Sequence, residues 1–270
     1  MFQLKERNQI TMTTQRIELT EKDVMIFHVI NRWRVAQLKH IKSFLGFGSD
    51  EYLKRRLRNL STNNYIKRSR KHIRESYVYE LGELGKEVLD ITKAGQVSSG
   101  TLDHELGVLT CACFFREYFS EASLDYHSMI TDRDFRSYEY SKNATSYGYK
   151  KMTRKGDLTF KVGDKWWIVE YEKEKKSFQR IQENVTANKN RAYGQIWVYP
   201  KLRTSIAKGL TEASQMMGVD DDRFKLFTFE EIEKVLHRPS ARIATTSSKP
   251  IEEWIEEYNK NEDSIFYHRY

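Results

Sequence analysis

The stretch KGDLTFKVGDKWWIVEYEKEKK, residues 155–176, leaves the chain few ways to fold. Apolar residues alternate on both sides of Gly163-Asp164, and a two-residue turn with glycine first closes a type II′ hairpin. That turn sets the register so that Val162 faces Lys165, Phe160 faces Trp167 and Asp157 faces Glu170. One face carries Leu158, Phe160, Val162, Trp167, Val169 and Tyr171, nearly all core material. The other bears Thr159 and Ile168 and ends in Asp157, Glu170 and Glu172. Like charges opposed across strands destabilise a sheet. A hard divalent cation, Mg²⁺ or Mn²⁺, reverses that by taking oxygen ligands from both strands. Such an ion also activates a nucleophile and stabilises charge on a phosphoryl group. The alternative is a hairpin end splayed into solvent, with no convergence.

Charge is distributed unevenly. The net charge is +8, but the first 91 residues carry 18 Lys+Arg against 11 Asp+Glu, and the remainder 28 against 27. A lopsided excess of this kind suits a module facing a polyanion. In the same third, TEKD at 20–23 offers Thr20 as a helix cap, followed by Val24, Phe27 and Ile30 at helical spacing. AQLKHIKSFLG predicts a second helix stopped by Gly46, and Ser49 caps a third, DEYLKRRLRNL, with Leu53, Leu57 and Leu60 inward. YIKRSRKHIRESYVYEL alternates as two short strands with a basic tip. Residues 54–74 hold nine Lys or Arg and no acid. Three helices and a hairpin make a winged helix-turn-helix. Its duplex-facing set is Lys54, Arg55, Arg56, Arg58, Lys67, Arg68, Arg70, Lys71 and Arg74.

GELGKEVLD reads as a closing helix and TKAGQVSSG, residues 92–100, as a linker. TLDHELGVLTCACFFREYFSE is apolar on most sides and predicts a buried helix. In its first turn Glu105 suits the helix dipole and His104 reads as a packing residue. Cys111 and Cys113 read as reduced core thiols, and no Cys/His set has zinc-ligand spacing. Residues 126–155 interleave Tyr138, Tyr140, Tyr147 and Tyr149 with Arg136, Lys142, Lys150, Lys151, Arg154 and Lys155. That pattern suits either stacking and phosphate contact with nucleic acid or a tyrosine-rich edge strand. A helix over KEKKSFQRIQENVTANKNRAYG, then strands in QIWVYP and FKLFTFEEIEKVL, implies a mixed sheet with crossovers. IEEWIEEYNK carries a small apolar stripe suited to docking on its own chain. An α+β chain with two domains follows: arm 1–17, winged helix 18–91, linker 92–100, second domain 101–237, and a C-terminal linker and amphipathic helix 238–270. No run approaches a membrane span and no signal-peptide core is present, so the expected location is cytoplasmic.

LTEKDVMIFHVI, AQLKHI, LKRRLRNLSTNNYIKR and YELGELGKEVL, in that order, resemble the winged helix of the replication-relaxation family and of the related Mob-C class relaxases. LDHELGV, RKGDLTF and WWIVEYEKEKK are similar to the second half of such proteins, a nuclease core of the PD-(D/E)xK type with a restriction-endonuclease-like α/β fold. The resemblance spans residues 18–235. It implies Asp157 for the aspartate of the PD element, with Gly156 in the place of proline, and Glu170 for the first acid of (D/E)xK. Glu172 stands where lysine is usual, and Lys173, one place later, faces the other way. Glu105 matches the helix acid, and Lys175 or Lys176 would replace the missing lysine.

The resemblance implies a plasmid or conjugative-element relaxase that binds double-stranded DNA at an origin of transfer or replication and nicks one strand. Asp157, Glu170, Glu172 and Glu105 would hold Mg²⁺ or Mn²⁺, with Lys175 or Lys176 placing a phosphate or water. Other relaxosome proteins are the expected partners, and no membrane is. The competing reading is a non-catalytic, sequence-specific relaxosome accessory, or a replication or transcription regulator, with a degenerate core. A restriction-type nuclease making double-strand breaks is a third.

Overall fold

The computed structural model describes residues 17–70, 75–92, 94–120, 124–143, 155–236 and 249–267. These build a mixed α+β architecture of ten α-helices, a short 3-10 turn and two sheets. α1 (Glu21–Trp33) begins as its sequence predicts. Asp23 accepts from the Thr20 amide and hydroxyl, both at 2.7 Å, and Ile26, Phe27 and Ile30 are fully buried. β1 (Ala36–Gln37) is too short to show in any periodicity. It leads into α2 (Leu38–Leu45), which stops at Gly46 in the left-handed region, φ 63°. α3 (Asp50–Thr62) is capped by the Ser49 hydroxyl and buries Leu53, Leu57 and Leu60. β2 (Ile66–Ser69) and β3 (Val78–Leu81) form the antiparallel hairpin, and β1 pairs with the other side of β3. α4 (Glu83–Val88) closes this part.

The second sheet runs β4-β5-β6-β7-β8. α5 (Leu102–Tyr118) precedes it, and α6 (Asp132–Asn143) follows β4 (Ile130–Thr131). β5 (Leu158–Val162) and β6 (Lys165–Tyr171) keep the register set by the turn, with Phe160 opposite Trp167 and Val162 opposite Lys165. Gly163 takes φ 62° there. β7 (Gly194–Tyr199) and β8 (Phe224–Thr228) continue the sheet in parallel. Parallel neighbours need crossovers, supplied by α7 (Phe178–Arg191) and by α8 (Thr204–Met216), a helix the spacing analysis does not contain. α9 (Phe229–Leu236) and α10 (Ile251–Tyr267) complete the fold, and α10 docks Ile255 and Tyr258 on the sheet beside Trp166 and Ile168. No described helix is long and apolar enough to cross a membrane.

Alternation along the strands sends side chains to two faces. Phe160, Trp167, Val169, Tyr171, Ile196 and Val198 face α5 and α9. Trp166 and Ile168 lie under α10, and Trp197 packs on Ile181 and Val185 of α7 and on α8. The buried side chains on either side of residues 92–100 form one continuous apolar cluster, running from Ile26 and Phe44 through Leu109 and Phe115 to Leu236. Polar contacts reinforce it. Arg116 of α5 donates to the carbonyls of Ser43 and Phe44, at 3.0 and 3.4 Å, near the C-terminus of α2. Arg133 of α6 donates to the Arg32 carbonyl at 2.6 Å, near the C-terminus of α1. Each cation meets the carbonyl end of a helix dipole. Burial keeps His40 neutral by pushing its pKa far down. Its Nδ1 accepts from the Gln37 amide at 3.1 Å, and its Nε2 lies 2.9 Å from the Thr110 hydroxyl of α5.

The tyrosine- and lysine-rich segment is an edge strand only at β4, and Tyr138 and Tyr140 lie on the helix α6 that follows it. Arg136 pairs with Asp132 one turn back at 2.6 Å, Lys142 lies over the Tyr138 ring, and Lys155 bonds Asn259 and Glu262 of α10. Tyr140 is exposed. Tyr147, Tyr149, Lys150, Lys151 and Arg154 lie outside the described residues.

Gly107 sits inside α5, where alanine would ordinarily favour the helix by about 1 kcal/mol. A Cβ there would stand 2.0 Å from Cε1 of the buried Tyr171 ring. Gly107→Ala should therefore lower stability by roughly 1–3 kcal/mol through overpacking. A thermal melt checks this, and an unchanged or raised Tm would refute the close approach.

Candidate nucleic-acid interface and acidic sheet end

α3 and β2 expose most of the cations singled out above. Lys54, Arg55 and Arg58 stand on the outward side of α3, opposite its leucines, and Lys67, Arg68 and Arg70 are exposed on and just past β2. Arg68 and Arg70 both lie over the Tyr77 ring, at 4.8 and 4.9 Å. Burial raises the Tyr79 pKa, while the charges of Arg68 on the hairpin and Arg58 on α3 pull it down. Surface ion pairs partly balance the patch, Lys54 with Glu51 at 2.7 Å and Lys67 with Glu83 at 3.4 Å. Such pairs contribute little and exchange readily. Lys71 and Arg74 lie outside the described residues.

Arg56 does not belong with this group. Its Nε reaches Asp23 Oδ1 at 2.7 Å, and its Nη2 reaches Asp23 Oδ2 at 2.5 Å and the Glu18 carbonyl at 2.8 Å. It is a structural clamp on the cap of α1. Composition cannot reveal that, since the partner lies 33 residues earlier. Tyr52 and Asn59, by contrast, share the exposed side of α3 and carry no charge to draw notice.

At the sheet end, Asp157, Glu170 and Glu172 are buried, with 6%, 4% and 5% of their surfaces exposed. They do not converge as the register alone predicts. Gly156, at φ 87°, turns the chain where a Cβ would meet Ile168. The ladder ends at Leu158, and the Asp157 amide donates to the Val169 carbonyl. The Asp157 carboxylate swings toward α5. Its Oδ2 accepts from the Tyr171 amide at 2.8 Å, and its Oδ1 lies 3.2 Å from His104 Nε2. The His104 ring stacks on Tyr171 at 5.9 Å. Burial, and after it the Asp157 charge, pushes the Cys111 thiol well up; Cys111 and Cys113 are both free and buried.

Glu170 is on the opposite face, in phase with Ile168, and its Oε1 accepts from Asn188 of α7 at 3.3 Å. Glu172 shares that face and pairs with Lys176. Lys175 is exposed, and Lys173 turns to the α5 side, 4.0 Å from Asp103. Glu105 lies 3.8 Å from Arg133. Four acids expected to share one Mg²⁺ or Mn²⁺ thus lie in four settings. Among the described residues no group of three or more His, Cys, Asp or Glu is gathered to hold a metal ion. Spacing misses His104 because a lone histidine in a first helical turn gives no sign of an aspartate 53 residues on.

The model of the replication-relaxation family matches residues 27–204, from within α1 into the start of α8. No curated protein and no solved structure matches the chain. The family span covers about two thirds of the sequence and holds both the cationic face of α3 and the acidic end of β5 and β6. The chain belongs to the replication-relaxation family.

Proposed function

We propose that this protein binds duplex DNA at a plasmid origin, with α1 to β3 acting as a winged helix. α3 enters the major groove and the β2–β3 hairpin lies on the adjoining phosphates. Family membership suggests a role in plasmid replication or mobilization, and this reading gives that role its contact with DNA. The carrying observation is the run of exposed cations at Lys54, Arg55, Arg58, Lys67, Arg68 and Arg70 along one helix and the hairpin beside it. Origin DNA is the required partner, in the cytoplasm, with other relaxosome proteins assembling on it.

Salt titration of binding to origin duplex tests the reading. Six phosphate contacts would give a slope of log K against log salt of about −5. Absence of duplex binding at low salt would overturn it.

A second reading is strand cleavage by a nuclease-like core. It is favoured by three carboxylates buried at one end of β5 and β6, a costly placement for charges of one sign. The order α5, β4, α6, β5, β6, α7, β7 is compatible with such a core. Supercoiled origin plasmid incubated with Mg²⁺ or Mn²⁺ separates the two readings. Open circles that vanish with Asp157→Ala would carry cleavage. A footprint without cutting would leave the protein a DNA-binding component alone.

A further inference from the structure

Resting on the reading of α3 as the DNA-contacting helix, we infer that sequence is read by one row of that helix, Glu51, Arg55 and Asn59, while Lys54 and Arg58 hold phosphates. The three recur every fourth residue and are exposed. Leu53, Leu57 and Leu60, fully buried, fix the rotation of the helix, so this row points away from the core. Each step along it rises about 6 Å, close to two base-pair steps of about 3.4 Å. The three groups differ in chemistry. A carboxylate accepts, a guanidinium donates, and an amide does both. Their major-groove complements are the cytosine amine, guanine O6 and N7, and adenine N6 and N7.

Glu51 carries the argument furthest. Its side chain is 84% exposed at the start of α3, inside the cationic surface. A carboxylate set against phosphate is repelled. Once Lys54 exchanges its pair with Glu51 for phosphate, and Arg58 and the hairpin draw the backbone in, Glu51 must meet a base donor or weaken binding. It therefore penalises every site that lacks a donor at that position, which is discrimination by repulsion. The other two members are partly pre-ordered. The Arg55 guanidinium lies over the Tyr52 ring at 6.0 Å. The Asn59 amide is held by Asn63, whose Nδ2 donates to both the Asn59 carbonyl and its Oδ1 at 2.9 Å.

Selection from a randomised duplex library tests the assignment, using the full chain and the variants Glu51→Ala, Arg55→Ala, Asn59→Ala and Lys54→Ala, each confirmed folded by thermal melt. Wild type should enrich a consensus. Each row variant should lose preference at one or two neighbouring positions, with about tenfold or more discrimination gone there. Lys54→Ala should keep the consensus and weaken all duplexes alike. Glu51→Ala should also bind unrelated duplex more tightly than wild type does. Row variants that enrich the unchanged consensus would overturn the inference while leaving duplex binding standing. A wild type that retains no duplex would overturn the proposed function, and this inference with it.

Discussion

Arg32→Ala should lower stability by about 3–5 kcal/mol and the melting temperature by roughly 6–20 °C. Arg32, at the end of α1, makes a bidentate pair with Asp134 of α6. Nη1 meets Oδ1 at 2.9 Å and Nη2 meets Oδ2 at 2.7 Å, while Nη2 also reaches the Met129 carbonyl at 2.6 Å. Removing the arginine strands a carboxylate that is itself largely buried. Burial pushes the Asp134 pKa up, but the charges of Arg32 and Arg133 and the hydrogen bonds from Arg32 and Thr131 outweigh it and hold the group below its usual range. In the wild type that stability is present above the unfolded carboxyl pKa of about 3.9 and is lost as pH falls through the lower folded value. In the variant the Arg133 charge and the Thr131 hydrogen bonds remain, but burial meets less opposition, so the carboxyl should rise and protonating it should relieve part of the penalty. The gap in melting temperature should thus be widest near neutral pH and narrow toward about pH 4. A gap that stays constant would show that lost packing, not stranded charge, causes the loss.

Parts of this fold are legible because local chemistry determines them. Gly163-Asp164 sets the β5–β6 register without outside help, and the caps at Thr20 and Ser49 with the leucines of α3 do the same for the first helices. The start of α6 is legible too, but easily passed over. TDRD at 131–134 repeats the plan of TEKD at 20–23, with the final aspartate accepting from the threonine amide and hydroxyl at 2.7 and 2.6 Å. Each of these aspartates is then gripped by a distant arginine, Arg32 or Arg56. Those arginines look like any other surface cation in the sequence. What composition conceals is long-range pairing. Asp157 turns from Glu170 because Gly156 bends the chain and because the Tyr171 amide and His104 stand on the other side. The hairpin's own period of two contains none of that. β1 escapes because it is two residues long, whereas α8 is legible after all, since Ile206, Leu210 and Ala213 recur at helical spacing.

Arg55→Ala and Arg56→Ala, neighbours in α3, should fail in different ways. Arg56 faces Asp23, whose side chain is almost wholly buried. Burial pushes the Asp23 pKa up, yet the Arg56 hydrogen bonds and those from Thr20 bring it below the usual carboxylate range. Arg56→Ala leaves that charge in the core and should cost about 3–5 kcal/mol. Below its lowered melting temperature the protein should still bind duplex with nearly the wild-type salt slope. Arg55→Ala removes an exposed side chain and should change stability by no more than about 0.5 kcal/mol, while weakening the preferred duplex about tenfold or more. Melting curves and salt titrations on the two variants decide between these outcomes. Equal losses of affinity with no change in Tm would return Arg56 to the DNA face and make its pairing with Asp23 incidental. Adding Asp23→Asn to Arg56→Ala removes the stranded charge and keeps an acceptor for Thr20, so part of the stability should return. No recovery would trace the loss to the packing of the Arg56 stem, because the charge would by then be gone.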